Sequence, residues 1–376
     1  MIRSLKSISA AAMLLVTSLV FTSCEGAFDD IFGEWSRPGT VTSISLTSTT
    51  QTLVVGEADV TLTYTIEPDN AIDKTVTWSS DNTAVATVDA TGRVHAVAEG
   101  TAIITAKAGD KSATCTVTVT EVYAANEYNE GAWDGTKVIF TKQTAASVTA
   151  VANSDADVTW SAGWYTVSGE VTITGTVTLG ADTHLILCDG AKLTINGFLY
   201  GSDMYKLHIY GQANQSGQLV VNCSTSAAIL SITTLEVHSS KVTATSSHDC
   251  DAGLYNIGTF NVYGGSIDAE STTTGTDAGY GISLKNNGSM NIYGGDVKAV
   301  GKKAYGIRTE GSPATFTVYG GQLWAECAEN MALDDHVTLA KGDGFTGKIE
   351  TSDDGSSWTE YTSAGTPSTR YVRVGY

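Results

Sequence analysis

The chain has 376 residues, of which 39 are glycine and four are proline, and it carries a formal net charge of −19. A field of that sign repels phosphate backbones, which excludes nucleic acid as an expected partner. Abundant Thr, Val, Ile and Tyr in short runs punctuated by glycine point to an all-β chain of two or three domains.

Residues 1–23 carry Arg3 and Lys6, then an apolar run from Ala10 to Phe21, then Thr22 and Ser23 ahead of Cys24. The run is too short for a comfortable membrane span and has the three-part form of an export signal. Phe21-Thr-Ser-Cys24 resembles the lipobox of bacterial lipoproteins, with Phe21 where leucine is usual. The resemblance implies cleavage before Cys24, a diacylglycerol on its sulfur, and attachment to the outer membrane through that anchor. Residues 24–39 mix acids with glycine and proline, show no period and read as an acylated tether. Asp29 and Asp30 resemble the acidic cluster that promotes surface display in some lipoproteins.

Residues 40–121 hold short alternating runs separated by turn signals at Asp81-Asn82, Thr91-Gly92 and Gly109-Asp110. About seven or eight strands in roughly 80 residues is the size of an immunoglobulin-like sandwich. The phrases Leu53-Val-Val-Gly-Glu, Val76-Thr-Trp-Ser-Ser-Asp-Asn, Gly92-Arg-Val-His-Ala-Val and Gly100-Thr-Ala-Ile-Ile-Thr-Ala closely resemble the bacterial Ig-like domain, group 2. That family serves as spacers and adhesive modules, so the resemblance implies surface display. Trp78 is expected in the core, and His95 on a solvated face beside the packing residues Val94, Ala96 and Val97.

Residues 122–169 have no clear period and are expected to form a connector and an N-terminal cap for the next domain. From residue 170 the strands become dense. Five phrases recur, each ending at an aromatic before a small or glycine pair: Leu207-His-Ile-Tyr-Gly, Leu235-Glu-Val-His-Ser, Phe260-Asn-Val-Tyr-Gly-Gly, Met290-Asn-Ile-Tyr-Gly-Gly and Phe316-Thr-Val-Tyr-Gly-Gly. Their aromatics lie 28, 25, 30 and 26 residues apart, a period that signals a solenoid, and the two-residue alternation inside each unit selects strands. Tyr165-Thr-Val-Ser-Gly, Leu185-Ile-Leu-Cys-Asp-Gly-Ala-Lys-Leu-Thr-Ile and Leu207-His-Ile-Tyr-Gly-Gln resemble a module of bacterial surface proteins that looks like a right-handed parallel β-helix. Some related modules bind carbohydrate. The expected fold is therefore an Ig-like β-sandwich followed by a right-handed parallel β-helix (solenoid) over residues 170–346, of about nine or ten turns. Residues 347–376 are expected to close it as a hairpin, turning at Asp354-Gly355, and a last strand whose Arg370 and Arg373 discourage edge pairing.

Alternation assigns faces. If Phe260 and Val262 point inward, Tyr210, His238, Tyr263, Tyr293 and Tyr319 stack in one outward column, and Asp268, Lys298 and Trp324 in another. The tyrosine column reads either as sugar-stacking rings or as a structural ladder. Trp324 is the sharper binding candidate, because an outward tryptophan exposes apolar area unless something covers it. Tyr263, Tyr293 and Tyr319 are the secondary ones.

Six cysteines without a C-x-x-C pair argue against zinc or redox chemistry. Buried free thiols are the default, with a disulfide among Cys188, Cys223, Cys250 and Cys327 the alternative. Asp334-Asp335-His336, His248-Asp-Cys-Asp251 and Asp353-Asp354-Gly355 carry chemically capable residues. No two of these groups can be nominated to converge on one bond, and the last reads as a turn rather than a calcium loop. No catalytic residue, metal ligand or cofactor is therefore expected. The function expected is a non-catalytic surface adhesin for an extracellular glycan or a host or cell-surface glycoprotein. A β-helix polysaccharide lyase or glycoside hydrolase is one alternative, and a structural surface component without a small ligand is another.

Overall fold

A computed structural model describes residues 39–249, 251–273, 279–362 and 366–375, so the lipidation candidate Cys24 and the thiol of Cys250 lie outside the described residues. The described chain is all β, without a helix. Its described residues divide into two units, one ending at Glu121 and the other beginning at Val122.

In the first unit, Thr50–Val54, Lys111–Thr120, Gly100–Ala108 and Thr77–Ser80 form a four-stranded sheet in that spatial order. Val60–Thr61, Arg93–Ala96 and Ala86–Val88 form a three-stranded one, and Ser43–Leu46 pairs with Tyr64–Glu67. Every second residue of each strand turns inward, so Leu53, Val94, Ile104, Cys115 and Val117 make one buried cluster. Trp78 packs against this cluster and a second one around Ile44 and Ile66, but it is half-buried. His95 is on the wet face as expected, 2.7 Å from Asp59. Val97, expected to pack, is instead exposed.

The second unit is a curled parallel sheet. Each turn of chain adds one strand to each of three parallel ladders. The first ladder runs through Thr149–Ala150, Gly163–Val167, Thr183–Leu187, Lys206–Gly211, Thr234–Val237, Ala252–Val262, Tyr280–Ile292, Ala314–Val318 and Val337–Lys341. The second runs from Glu170–Ile173 to Gln322–Cys327, and the third from Val158–Trp160 to Ile307–Thr309. The register is strict on the inward face. Leu207, Leu235, Phe260, Met290 and Phe316 follow one another across adjacent strands, as do Ile209, Val237, Val262, Ile292 and Val318. These columns are almost wholly buried and form the core of the unit.

The Gly-Gly bends have a steric reason. Gly265, Gly295 and Gly321 take φ of +79°, +76° and +71°, where a side chain is strained. The turns also stack so closely that a Cβ on Gly265 would lie 2.1 Å from the Ser240 carbonyl oxygen. Earlier in the stack the same bend is made by Ser239 and Ser240, both buried.

Three expectations for the ends are corrected. The parallel ladders begin at Thr149–Ala150 rather than at residue 170. Ahead of them, Glu127–Trp133 and Val138–Thr144 pair as an antiparallel hairpin, which does not cap the stack but lies along its side. At the other end, Tyr371–Val374 inserts between Gln322–Cys327 and Ile349–Ser352, antiparallel to both. Arg373 is therefore no edge guard. It pairs with Glu350 at 2.9 Å and lies over the ring of Trp358.

Candidate binding surfaces

The outer face of the first ladder carries the expected aromatic column. Ring centroids are 4.5 Å apart for Tyr210 and His238, 4.9 Å for His238 and Tyr263, 5.1 Å for Tyr263 and Tyr293, and 4.9 Å for Tyr293 and Tyr319. All four pairs are near-parallel, because strand spacing of about 4.8 Å dictates the stacking distance. Such a column presents a broad apolar surface, and the hairpin covers much of it. Tyr128 packs on Tyr210 at 4.5 Å and on Trp164 at 4.7 Å. Gly131 lies against Tyr263, and Trp133 sits 5.6 Å from both Tyr293 and Tyr319. Polar clasps hold it there. Gln212 Nε2 donates to the carbonyls of Ala124 (2.7 Å) and Glu127 (2.9 Å), and Thr166 Oγ1 donates to the carbonyl of Ala125 (2.7 Å).

Burial follows the hairpin. Tyr210 and His238 are buried, whereas Tyr263, Tyr293 and Tyr319 keep one side in a cleft of about 420 Å³ shared with Trp133, Lys137 and Phe140. Burial pushes the Tyr263 hydroxyl up to about 12 and raises those of Tyr210 and Tyr293 as well.

A second outward column, two residues earlier on each strand, was not nominated from the sequence. It places Trp164, His184, His208, Glu236, Asn261 and Asn291 in register. His208 Nδ1 is 2.8 Å from Glu236, Asn261 Nδ2 donates to the other Glu236 oxygen at 2.9 Å, and Asn291 Nδ2 donates to Asn261 at 3.0 Å. The hydrogen bond with His208 and then the nearby His238 ring hold the Glu236 carboxyl well below the usual carboxylate range. Burial, then the neighbouring His208, pulls His184 down to about 4. The same face assignment, applied one outward position earlier, finds this row in the sequence.

The second ladder bears the other expected column. Asp268, Lys298 and Trp324 are in direct register and line an open groove of about 370 Å³ with Ser266, Asp296 and Val297. Trp324 is half-buried. Trp358 packs 5.2 Å from it and Tyr371 6.4 Å, while its Nε1–H donates to Glu326 at 2.6 Å. The C-terminal hairpin thus backs this ring, which also lines the groove. The structure brings the three tyrosines into one cleft and places Trp324 in a separate one.

The remaining reactive groups are local. Asp334 bonds His336 at 2.9 Å and its backbone N–H, and His248 bonds Asp251 at 2.7 Å. The Asp354 carboxylate accepts the N–H groups of Ser356 and Ser357, as a turn does. Cys115, Cys188, Cys223 and Cys327 are free thiols.

Residues 40–119 match the family described as Bacterial Ig-like domain (group 2). That domain is present in the first unit. The chain is 48% identical over 82 residues to an Ig-like virion protein of Serratia phage KSP90, spanning 21% of this chain and 31% of that protein. It is 56% identical over 61 residues to a lacto-N-biosidase of Bifidobacterium bifidum, 16% of this chain and 5% of that protein. With an α-L-arabinofuranosidase of Bifidobacterium longum it shares 40% identity over 108 residues, 27% of this chain and 10% of that protein. The chain thus spans less than a third of each of these relatives, and the matches to the two enzymes cover an Ig-like region.

Proposed function

We propose that this chain is a lipid-anchored protein of the outer membrane surface that binds an extracellular glycan, free or on a glycoprotein, without transforming it. In this reading the curled parallel sheet is a right-handed β-helix. Its three ladders of next-turn parallel pairs support a solenoid, and parallel crossovers are right-handed almost without exception. The Ig-like domain suggests an extracellular setting. The lipid anchor rests on the sequence around Cys24.

The observation that carries the binding reading is the groove at Trp324. An indole face offers flat apolar area for the C–H face of a sugar ring, and Asp268 and Lys298 beside it offer a charged acceptor and donor for hydroxyls. Trp358 and Tyr371 restrain the ring, so little side-chain entropy is lost on binding. The tyrosine column, by contrast, is mostly occupied by the chain's own hairpin. Two relatives that share the Ig-like stretch bear the names of carbohydrate-acting enzymes, which supports a carbohydrate-rich setting for such a unit.

A glycan array probed with the purified chain, run beside reducing-sugar and lyase assays on the same polysaccharides, tests this. Binding without turnover is the expected result. Turnover would establish an enzyme instead, and a blank array with intact cell attachment would establish a structural component.

A further inference from the structure

No metal ligand is expected from the sequence, yet the fold gathers His208, Glu236 and His238 with their ligand atoms all within 4.8 Å of one another. We propose that these three side chains form a site for one divalent transition-metal ion, with zinc the best fit. The site is independent of the Trp324 groove, and neither proposal needs the other.

Register explains the convergence. His208 and Glu236 are direct partners on adjacent strands, and His238 follows Glu236 by two residues, so all three project from the same outer face. Glu236 Oε2 is the hub, 2.8 Å from His208 Nδ1 and 3.8 Å from His238 Nε2. Zinc bonds of 2.0–2.2 Å at tetrahedral angles separate ligand atoms by roughly 3.3 Å. The two observed distances bracket that value, so small side-chain rotations suffice.

His238 supplies the second observation. Its side chain is only 5% exposed, and Nε2 has no hydrogen-bond partner among the described residues. Its other nitrogen lies 3.1 Å from both the carbonyl oxygen and the N–H of Gly131. If Nδ1–H donates to that carbonyl, Nε2 turns a bare lone pair toward a carboxylate. If the proton sits on Nε2 instead, its nearest acceptor is beyond hydrogen-bond reach. Either tautomer leaves a buried polar atom unsatisfied, which is uncommon and costly. A cation between Nε2 and Glu236 satisfies both lone pairs.

The surroundings fit a metal centre. The Gly131 carbonyl on His238 Nδ1 and the Asn261 amide on Glu236 Oε1 are the outer contacts that orient metal-bound imidazole and carboxylate. His184 stacks on His208 with ring centroids 4.7 Å apart and fixes its plane. Two imidazoles and one carboxylate favour zinc and its neighbours over calcium or magnesium, which take oxygen ligands. His208 and Glu236 are 17% and 18% exposed, which gives the ion a way in and leaves a fourth position for water. A bound ion would join two successive turns of the stack and, through Gly131, the hairpin.

The test is zinc binding by the whole chain after chelator treatment, measured calorimetrically at neutral pH with calcium and magnesium salts as comparisons. One zinc per chain is expected, with no matching calcium or magnesium signal. Glu236→Gln should abolish it, and Asn261→Ala, which removes only an outer contact, should weaken it about tenfold. His95→Gln, at an exposed histidine–carboxylate pair in the first unit, should leave it unchanged. If Glu236→Gln misfolds, X-ray absorption on the zinc-loaded wild type decides: two imidazole scatterers support the site. Absence of 1:1 binding, zinc retained by a folded Glu236→Gln, or an absorption spectrum without imidazole overturns it.

Discussion

The backbone of Gly131 and the ring of His238 meet at 3.1 Å although 107 residues of chain separate them. That contact marks where the hairpin seats on the aromatic column. It also explains a small residue at Gly131. A Cβ there would lie 2.7 Å from the Tyr263 Cβ and 2.9 Å from the Phe140 ring.

Gly131→Val should therefore lift the hairpin. The expected cost is about 1–3 kcal/mol, as for overpacking elsewhere. Hydrogen exchange should rise in Glu127–Trp133 and Val138–Thr144 while the inner strands stay protected. Unchanged exchange in the hairpin would contradict the docking role assigned to this face.

The stack should tolerate change at its bends worse than its exposed glycines suggest. Gly265→Ala meets both a positive φ and the Ser240 carbonyl, so a loss exceeding about 1 kcal/mol is expected in denaturant unfolding. Gly169→Ala, with φ +76° but open space around it, isolates the conformational part and should cost less. Phe260→Ala, in the buried column, should cost about 3–5 kcal/mol.

The turn that leads into Trp358 should resist mild acid. N–H groups of Ser357 and Ser356 hold the Asp354 carboxyl below its ordinary value. A depressed carboxyl contributes stability above the unfolded value of about 3.9, lost as pH falls through the lower folded one. Tryptophan emission from the Trp324 and Trp358 pair should thus hold steady from pH 7 to 5 and change only in strong acid. Asp354→Asn should loosen the turn at neutral pH, and identical emission and exchange in that variant would count against the assignment.

Much of this was legible in the sequence because a two-residue period maps directly onto faces. Phe260 and Val262 are inside, Tyr263 and Tyr293 stack outside, and Asp268, Lys298 and Trp324 share a column as the spacing requires. The hairpin was not legible. In Glu127–Trp133 the buried positions include Tyr128, Asn129 and Gly131, which break alternation because the partner surface sets them. Arg373 read as an edge charge since nothing local announces that its strand is inserted between two others. The His208 and Glu236 pair was legible only by carrying the register of the repeats one outward position earlier. Each is an ordinary polar residue in its own strand, and only the turn-to-turn register makes them neighbours.

In the proposed function, Trp324 faces a bound sugar. Calorimetric titration of wild type and Trp324→Ala with a glycan selected on the array measures this directly. The predicted result is a loss of at least about tenfold in affinity, roughly 1.4 kcal/mol, with folding and melting behaviour retained. Equal affinity in a folded Trp324→Ala would contradict the account.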